Sequence, residues 1–422
     1  MYKILFVANN PTALAGMLFL IQKMQEEYGI TPILLCENCY YESEKYEVIN
    51  LTPNYKRADI KKSIKNYYNQ KNKSIFYQGS SFVNALRRMR RDDVRTKNWL
   101  AQYEPAAVII YCDRMVGNVQ GFIKNAKGIP VIQIPIAING TKDETFEGRR
   151  YNCELIVSEK LGDINKIAEK INKNWVHSVG SEKRLFYPLG YSLAGYFLKM
   201  VSMNPWVSGA GGSTHVLVDS RNKAQEILEH VCKNVVVTGL VEDYYILQDI
   251  SRGEGKKQFL KGKYELKKEK VVIFSMPQMP EHGLTTWDIH KHNMKILIEV
   301  LEQRYEEILI SLHPKSKLED YQYLTALGNV KFVEERLRDI ISGCDVLIAV
   351  STSTVNRFAE LLKIHNVKIE INWLFEKINE KTRNQICGIL MEEPQKTGSS
   401  IDASEVKKVS QEIMNIIDLN EE

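Results

Sequence analysis

Two stretches decide how this chain reads. One is Ser311-Leu-His-Pro-Lys315, at the end of the apolar run 308–312; the other is Cys344-Asp-Val-Leu-Ile-Ala-Val-Ser-Thr-Ser-Thr354, where an apolar run passes directly into hydroxyl side chains. Short apolar runs rich in β-branched residues are the pattern of strands buried on both faces, and such strands belong to parallel sheets covered by helices. In an open sheet of that kind, ligands sit at the C-terminal strand ends. The imidazole of His313, with Pro314 and Lys315 in the same loop, and the hydroxyls of Ser351, Thr352, Ser353 and Thr354 are therefore expected to converge on an anionic group. Ser353 or Thr354 also suits the N-cap of a helix starting near Val355, a role compatible with phosphate binding because both use the same backbone N–H groups.

The alternation of strands and helices extends outward in both directions. In the first half, strands are expected at 3–8, 32–36, 107–112, 131–135, 155–157 and 216–219, with helices at 13–28, 81–101 and 162–173. A second series places strands at 235–239, 271–276, 308–312, 330–333, 346–350 and 367–371, with helices at 287–304 and 354–363. The expected class is α/β, with two Rossmann-like, doubly wound domains facing a central cleft. Residues 1–240 are expected to form the N-terminal domain and 241–422 the C-terminal domain, which would hold an acceptor and an anionic, nucleotide-sugar ligand respectively if the strand-end groups bind as expected. The segment 253–270 reads as polar, basic and flexible. An aromatic, glycine-rich insertion near 185–212, with Tyr187, Tyr191, Tyr196, Phe197 and Trp206, follows no clean period and reads either as a packed insertion or as a lid or membrane-contacting patch.

A chain of 422 residues with 44% hydrophobic and 26% charged residues has the composition of a globular protein. No run reaches the ~18 apolar residues of a membrane span, and Met1–Asn9 reads as a first strand, so a cytoplasmic protein is expected. Seven scattered cysteines fit a reducing compartment, and Cys36-Glu-Asn-Cys39 is a lone pair without zinc-ribbon spacing. The net charge of +5 gathers in Arg87–Arg91 with Arg95 and Lys97, and in Lys256–Lys270. These runs are read first as solvated helix faces, with peripheral docking at an inner-membrane face as the alternative; nucleic acid is not an expected partner.

Further candidates lie at other strand ends. Pro277-Gln-Met-Pro-Glu-His-Gly283 makes a rigid loop after the run 271–276, where Glu281 and His282 can contact a donor or move a proton. Tyr111-Cys-Asp-Arg114 closes a buried strand, and Asp113 is the first candidate for a base that takes a proton from an attacking hydroxyl. Asp143, Glu144 and Glu147 are its rivals, and Arg114, Arg149 and Arg150 are placed to meet a sugar carboxylate.

This layout resembles the two-Rossmann, or GT-B, superfamily of sugar-nucleotide enzymes. The segment 220–243, with Val235-Val-Val-Thr-Gly239, is similar to the interdomain segment of hydrolysing UDP-N-acetylglucosamine 2-epimerases, which also carry a histidine in the loop matching 277–283. His313-Pro314 and Ser351-Thr-Ser-Thr354 resemble the His-Pro and Ser-Ser motifs of bacterial sialyltransferases and related CMP-ulosonate transferases. Two epimerase features are replaced: no acidic residue follows Ile132-Gln-Ile-Pro-Ile-Ala137, and Ser351-Thr-Ser-Thr-Val-Asn-Arg357 stands where paired glutamates follow Gly-Gly. The acidic motif supplying the sialyltransferase base is also absent, with Glu281-His-Gly283 in its place.

The resemblance implies an inverting transferase moving an acidic sugar, a nonulosonate or Kdo, from a CMP-activated donor to a surface glycan or glycoprotein. It needs no cofactor beyond the donor, and with no strand-end Asp-x-Asp motif it is read as metal-independent. A UDP-sugar transferase or 2-epimerase, and a non-catalytic nucleotide-sugar-binding protein, are the alternatives.

Overall fold

The two series of apolar runs form two separate parallel sheets in the computed structural model, which describes residues 1–52, 75–138, 140–147, 149, 155–160, 162–281, 284–313, 316–351, 355–391 and 403–421. The chain divides into one unit of Met1–Glu242 with Lys407–Glu422 and a second of Asp243–Val406.

In the first unit, β1 (Lys3–Ala8), β2 (Thr31–Cys36), β3 (Glu47–Asn50), β4 (Ala107–Ile110), β5 (Val131–Gln133), β8 (His215–Val218) and β9 (Asn234–Val237) pair in the order β3-β2-β1-β4-β5-β8-β9. Every pairing is parallel. Side chains of a strand alternate between faces, so β1 feeds two cores. Ile4, Phe6 and Ala8 pack with Met17, Leu20, Ile21 and Met24 of α1 (Pro11–Tyr28). Leu5 and Val7 pack towards α2 (Ile75–Tyr103) and α3 (Asn118–Asn125) through Leu100, Tyr103, Val119 and Phe122. Helix α1 starts at Pro11, two residues before the expected 13: Asn10 Oδ1 accepts from Ala13 N at 2.8 Å, Pro11 follows, and Gly29 closes the end in left-handed conformation.

The aromatic stretch packs into a small core of its own. The antiparallel pair β6 (Val176–Val179) and β7 (Glu182–Leu185), with α4 (Lys142–Glu147), α5 (Lys166–Ile171) and α6 (Leu189–Leu198), surrounds buried Trp175, Phe186, Tyr187 and Trp206. Both indole N–H groups are satisfied, Trp175 Nε1 by Ser202 O at 3.2 Å and Trp206 Nε1 by Trp175 O at 3.1 Å. Helix α7 (Arg221–Leu228) covers β8 and β9.

The second unit contains α8 (Asp243–Gln248), α9 (Gly253–Lys263), β10 (Val272–Ser275), α10 (Trp287–Glu302), β11 (Ile308–Ser311), β12 (Val330–Phe332), α11 (Leu337–Ile340), β13 (Val346–Val350), α12 (Val355–Leu362), β14 (His365–Ile369) and α13 (Glu380–Met391). Its parallel sheet runs β12-β11-β10-β13-β14.

Four expectations are corrected. The run 235–239 is β9, the outer strand of the first sheet, because it pairs with β8 rather than opening the second series. Residues 155–157 contribute only an isolated bridge, Ile156 with Arg184. The segment expected to be flexible at 253–270 contains α9, pinned by fully buried Leu260 against Ile246, Ile340 and Ile341. The last residues, assigned from sequence to the second domain, return to the first. There α14 (Val409–Glu421) buries Val409, Ile413, Met414, Ile416 and Ile417 against α1 and the sheet.

Candidate functional site

In the second sheet the chain leaves β10 for β11 on one side and later lays β13 on the other. Loops after β10 and β13 therefore run in opposite directions, and the crevice between such loops is where open parallel sheets bind ligands. His313 follows β11 and is exposed, the loop reaching Glu281 follows β10, and Ser351 follows β13.

Glu281 is the best-defined polar group of this edge. Its Oε1 accepts hydrogen bonds from Ser316 Oγ at 2.8 Å and from Tyr321 Oη at 2.7 Å, while Gln278 Nε2 donates to Ser316 Oγ at 3.1 Å. These bonds tie the loop after β10 to the segment after β11. The other oxygen, Oε2, is buried and has no partner among the described residues. Behind it His290 of α10 is 1% exposed, edge-on to Trp287 and Tyr321, and its Nε2 also lacks a partner among the described residues. Burial pushes the His290 imidazole down to about 4, against the opposing pull of Glu281, so it is neutral at pH 7. Burial and the Glu281 contact push the Tyr321 phenol up, and burial does the same to Tyr323, whose hydroxyl is a further buried group without a partner among the described residues. A fully closed structural network would leave no such atoms.

At β13, Ser351 Oγ donates to Glu370 Oε2 at 3.3 Å. Asn356 Nδ2 donates to the carbonyls of Val350 at 2.8 Å and Ser351 at 3.1 Å, bracing the start of α12. Arg357 is committed elsewhere: its Nε and Nη2 lie 2.7 and 2.6 Å from Asp243 Oδ2, with both residues buried. The expected site residues His282, Pro314, Lys315, Thr352, Ser353, Thr354 and Arg150 lie outside the described residues.

In the first unit the expected base is buried and hydrogen-bonded on both oxygens. Asp113 is 0% exposed, its Oδ1 accepts from Gly209 N at 2.9 Å and its Oδ2 from Ser213 Oγ at 2.9 Å. Lys233 Nζ stands 3.8 Å from Oδ2 and donates to the carbonyls of Gly209 at 3.0 Å and Gly211 at 2.7 Å. A Cβ on Gly211 would meet Asp113 Cγ at 2.6 Å, so the loop 209–213 closes directly over the carboxylate. The carboxylate is closed off from solvent. Asp113 braces the loop to the strand end, which sequence could not show because the bracing residues lie far along the chain.

The expected carboxylate-binding arginines are also engaged: Arg114 and Arg149 both lie over the Phe186 ring, at 5.4 and 3.7 Å, and donate to the carbonyls of Trp206 and Phe186 respectively. Of the rival carboxylates, exposed Asp143 pairs with His177 at 2.7 Å, Glu144 accepts from Thr141 N at 2.8 Å, and Glu147 is exposed. The basic runs are substantially paired on their own helices and neighbours, as in Lys97–Asp93 at 3.1 Å, Lys257–Asp345 at 3.0 Å and Lys263–Glu335 at 2.6 Å.

The sequence reading missed His290, Ser316 and Tyr321, which reach Glu281 only through the fold. It also missed Glu37 and Asp92 in the first unit. Both are buried, and Glu37 immediately follows an apolar strand, the same signal that singled out Asp113. Among the described residues no group of three or more His, Cys, Asp or Glu is placed to hold a metal ion.

No protein-family model matches the chain, and no curated protein does. Solved structures do. UDP-GlcNAc 2-epimerase from Neisseria meningitidis, bound to UDP-GlcNAc, is 12% identical with a TM-score of 0.51, covering 99% of both chains. S. aureus MnaA, in a co-structure with UDP, is 11% identical with a TM-score of 0.53, covering 99% of this chain and 96% of its own. The spinosyn forosaminyltransferase SpnP is 8% identical with a TM-score of 0.51, covering 100% of both. The chain has the two-Rossmann fold of the GT-B sugar-nucleotide enzymes; identities this low establish the fold alone.

Proposed function

We propose that this chain is a GT-B glycosyltransferase that holds a nucleotide-sugar donor at the C-terminal edge of its second sheet. One observation carries the reading. Three adjacent strands, β11, β10 and β13, lead into His313, the Gln278–Glu281 loop and Ser351, and Glu281 there keeps a buried oxygen without a partner among the described residues although its other oxygen is fixed by Ser316 and Tyr321. A donor hydroxyl completes Glu281. His313 and the Ser351–Thr354 run are assigned to the donor phosphate, where a positioned imidazole and hydroxyls stabilise charge as the leaving group departs.

In finer terms the donor is a CMP-activated acidic sugar, transferred with inversion to a surface glycan or glycoprotein. The His-Pro and Ser-Thr-Ser-Thr motifs support that choice. The competing reading, a UDP-sugar transferase or 2-epimerase, is favoured by the UDP and UDP-GlcNAc held by two of the similar structures.

Thermal unfolding with CMP, CDP, UMP, UDP and GDP tests the proposal, since a ligand at about 100 times its Kd adds about 2.7 kcal/mol to folded-state stability. Stabilisation by CMP alone, lost in His313→Ala and Glu281→Ala, is expected. Stabilisation by UDP alone replaces the donor assignment, and no shift with any of the five nucleotides refutes the site.

A further inference from the structure

Where α2, α5 and α6 of the first unit come together, apolar side chains remain outside the core. Phe197, near the end of α6, is 70% exposed and Met203 is 53% exposed; Tyr196, Val83 of α2, and Ile167 and Ile171 of α5 are exposed as well. Single exposed apolar residues are ordinary, but a contiguous group marks a surface that meets something. These are contiguous. The Phe197 ring lies edge-on to Phe82, the residue before Val83, at 6.0 Å, and to Tyr196 at 6.4 Å. Tyr196 lies edge-on to Trp175 at 5.9 Å, and Asn172 Nδ2 donates to the Met203 carbonyl at 2.9 Å, which sets Met203 beside Ile171. Ile167 stands one helical turn before Ile171 on the same face of α5.

A packed frame presents this group. Ala85 and Met89 of α2 are buried against Ala194 and Met200, and Arg88 Nη1 donates to Tyr191 Oη at 3.3 Å. The exposed rings therefore belong to fixed helices and not to a fraying end.

Exposure alone names no partner, but charge does. The segments 80–91, 166–175 and 189–203, which build this surface, contain eight basic residues and one acidic residue, Glu169. Glu169 already lies 3.5 Å from Lys183. Arg87, Arg90, Lys170, Lys173 and Lys199 are exposed and make no ion pair among the described residues. Arg87 and Arg90 follow Val83 by one and two turns on one face of α2. Lys199 ends α6 at φ +54°, a conformation usually left to glycine, and so carries its charge two residues beyond Phe197.

A two-fold contact with a second copy would set these basic groups against themselves. An anionic lipid surface accepts both parts of the face: phenyl, phenol and thioether groups enter the boundary between headgroups and acyl chains, while long basic side chains reach lipid phosphates without needing a fixed register. Among the described residues no helix is long and apolar enough to cross a membrane, so the contact is a peripheral one.

We propose that this face docks the protein on an anionic lipid bilayer, with Ile171, Tyr196, Phe197 and Met203 in the interface and Arg87, Arg90, Lys173 and Lys199 on the headgroups. The proposal does not depend on the donor site.

Co-sedimentation of the full chain with vesicles of phosphatidylcholine, alone or with about 30% phosphatidylglycerol, tests it. The anionic vesicles are expected to bind at least about tenfold more tightly than the neutral ones, and less tightly as salt rises from about 0.1 to about 0.5 M. Phe197→Ser combined with Met203→Ser is expected to weaken that binding about tenfold, and Arg87→Gln combined with Arg90→Gln to weaken it by a similar factor. If Phe197→Ser lowers the thermal midpoint through its contact with Phe82, Met203→Ser alone keeps the apolar half readable, with an expected loss of about threefold. No sedimentation with anionic vesicles, equal binding to both kinds of vesicle, or a loss caused by the arginine pair but not by the apolar substitutions overturns the proposal. A dimer in sedimentation velocity that the apolar substitutions convert to monomer overturns it in favour of a second copy. Polyglutamate that binds as tightly as the anionic vesicles overturns it in favour of an acidic polypeptide.

Discussion

Asp113→Asn separates a brace from a base. The substitution is nearly isosteric, so it creates no cavity, but it removes the charge that faces Lys233 and turns one acceptor into a donor. Gly209 N–H and Ser213 Oγ each donate to the carboxylate at 2.9 Å, and Lys233 stands 3.8 Å away on a side chain only 11% exposed. A hydrogen bond to a charged group contributes about 1.5–3 kcal/mol, and removing one partner of a buried pair costs about 3–5 kcal/mol. Asparagine retains an oxygen for Gly209 N–H, so the lower end applies, about 3 kcal/mol. For a unit of this size each kcal/mol moves Tm by about 2–4 °C, which gives a fall of about 6–12 °C. Calorimetry of the full chain measures it, with Ser213→Ala as a milder control at about 1 kcal/mol. A midpoint within about 2 °C of the unsubstituted protein, together with loss of transfer activity, refutes the brace and restores Asp113 as a base.

Two other outcomes follow from the same kind of argument. His290 is held at about 4 against its usual 6.5, so on acidification the unfolded chain takes up a proton that the folded chain refuses; stability is present above pH 6.5 and falls towards pH 4 by at most about 3 kcal/mol. Denaturant titrations across that window should show the acid limb flatten in His290→Gln, and an unchanged limb refutes the assignment. Deleting residues 407–422 exposes the partners of Val409, Ile413, Met414, Ile416 and Ile417 and removes the Lys408–Glu27 pair at 2.8 Å. At about 1.5–3 kcal/mol per buried side chain this exceeds half of a typical domain's stability, so the first unit should lose its cooperative transition; an intact transition in the shortened chain refutes the packing argument.

The strand-end positions of the candidate residues were visible from sequence for a local reason. Strand ends in a parallel sheet are marked by the residue at which an apolar run stops, and His313, Glu281 and Ser351 stand at or just beyond such points. The same signal at Asp113 marks a side chain that is buried. It locates a side chain at the edge of a sheet but says nothing of what closes over it, and here the loop 209–213 does. Glu37 carried that signal equally and was passed over; its companion Asp92 sits in a basic run whose charge drew attention to the arginines. Tyr321, Ser316 and His290 carry no local mark, since their role exists only through Glu281.

The sequence by itself determined the class of fold, because burial on both faces imposes continuous apolar strands and burial on one imposes helical spacing. Only tertiary structure decided that β9 completes the first sheet, that the terminal helix returns to the unit where the chain began, and which polar atoms lose water without gaining a partner. Strand pairing, helix docking and desolvation each depend on residues far apart in the chain. A periodicity read along a single segment contains no information about them.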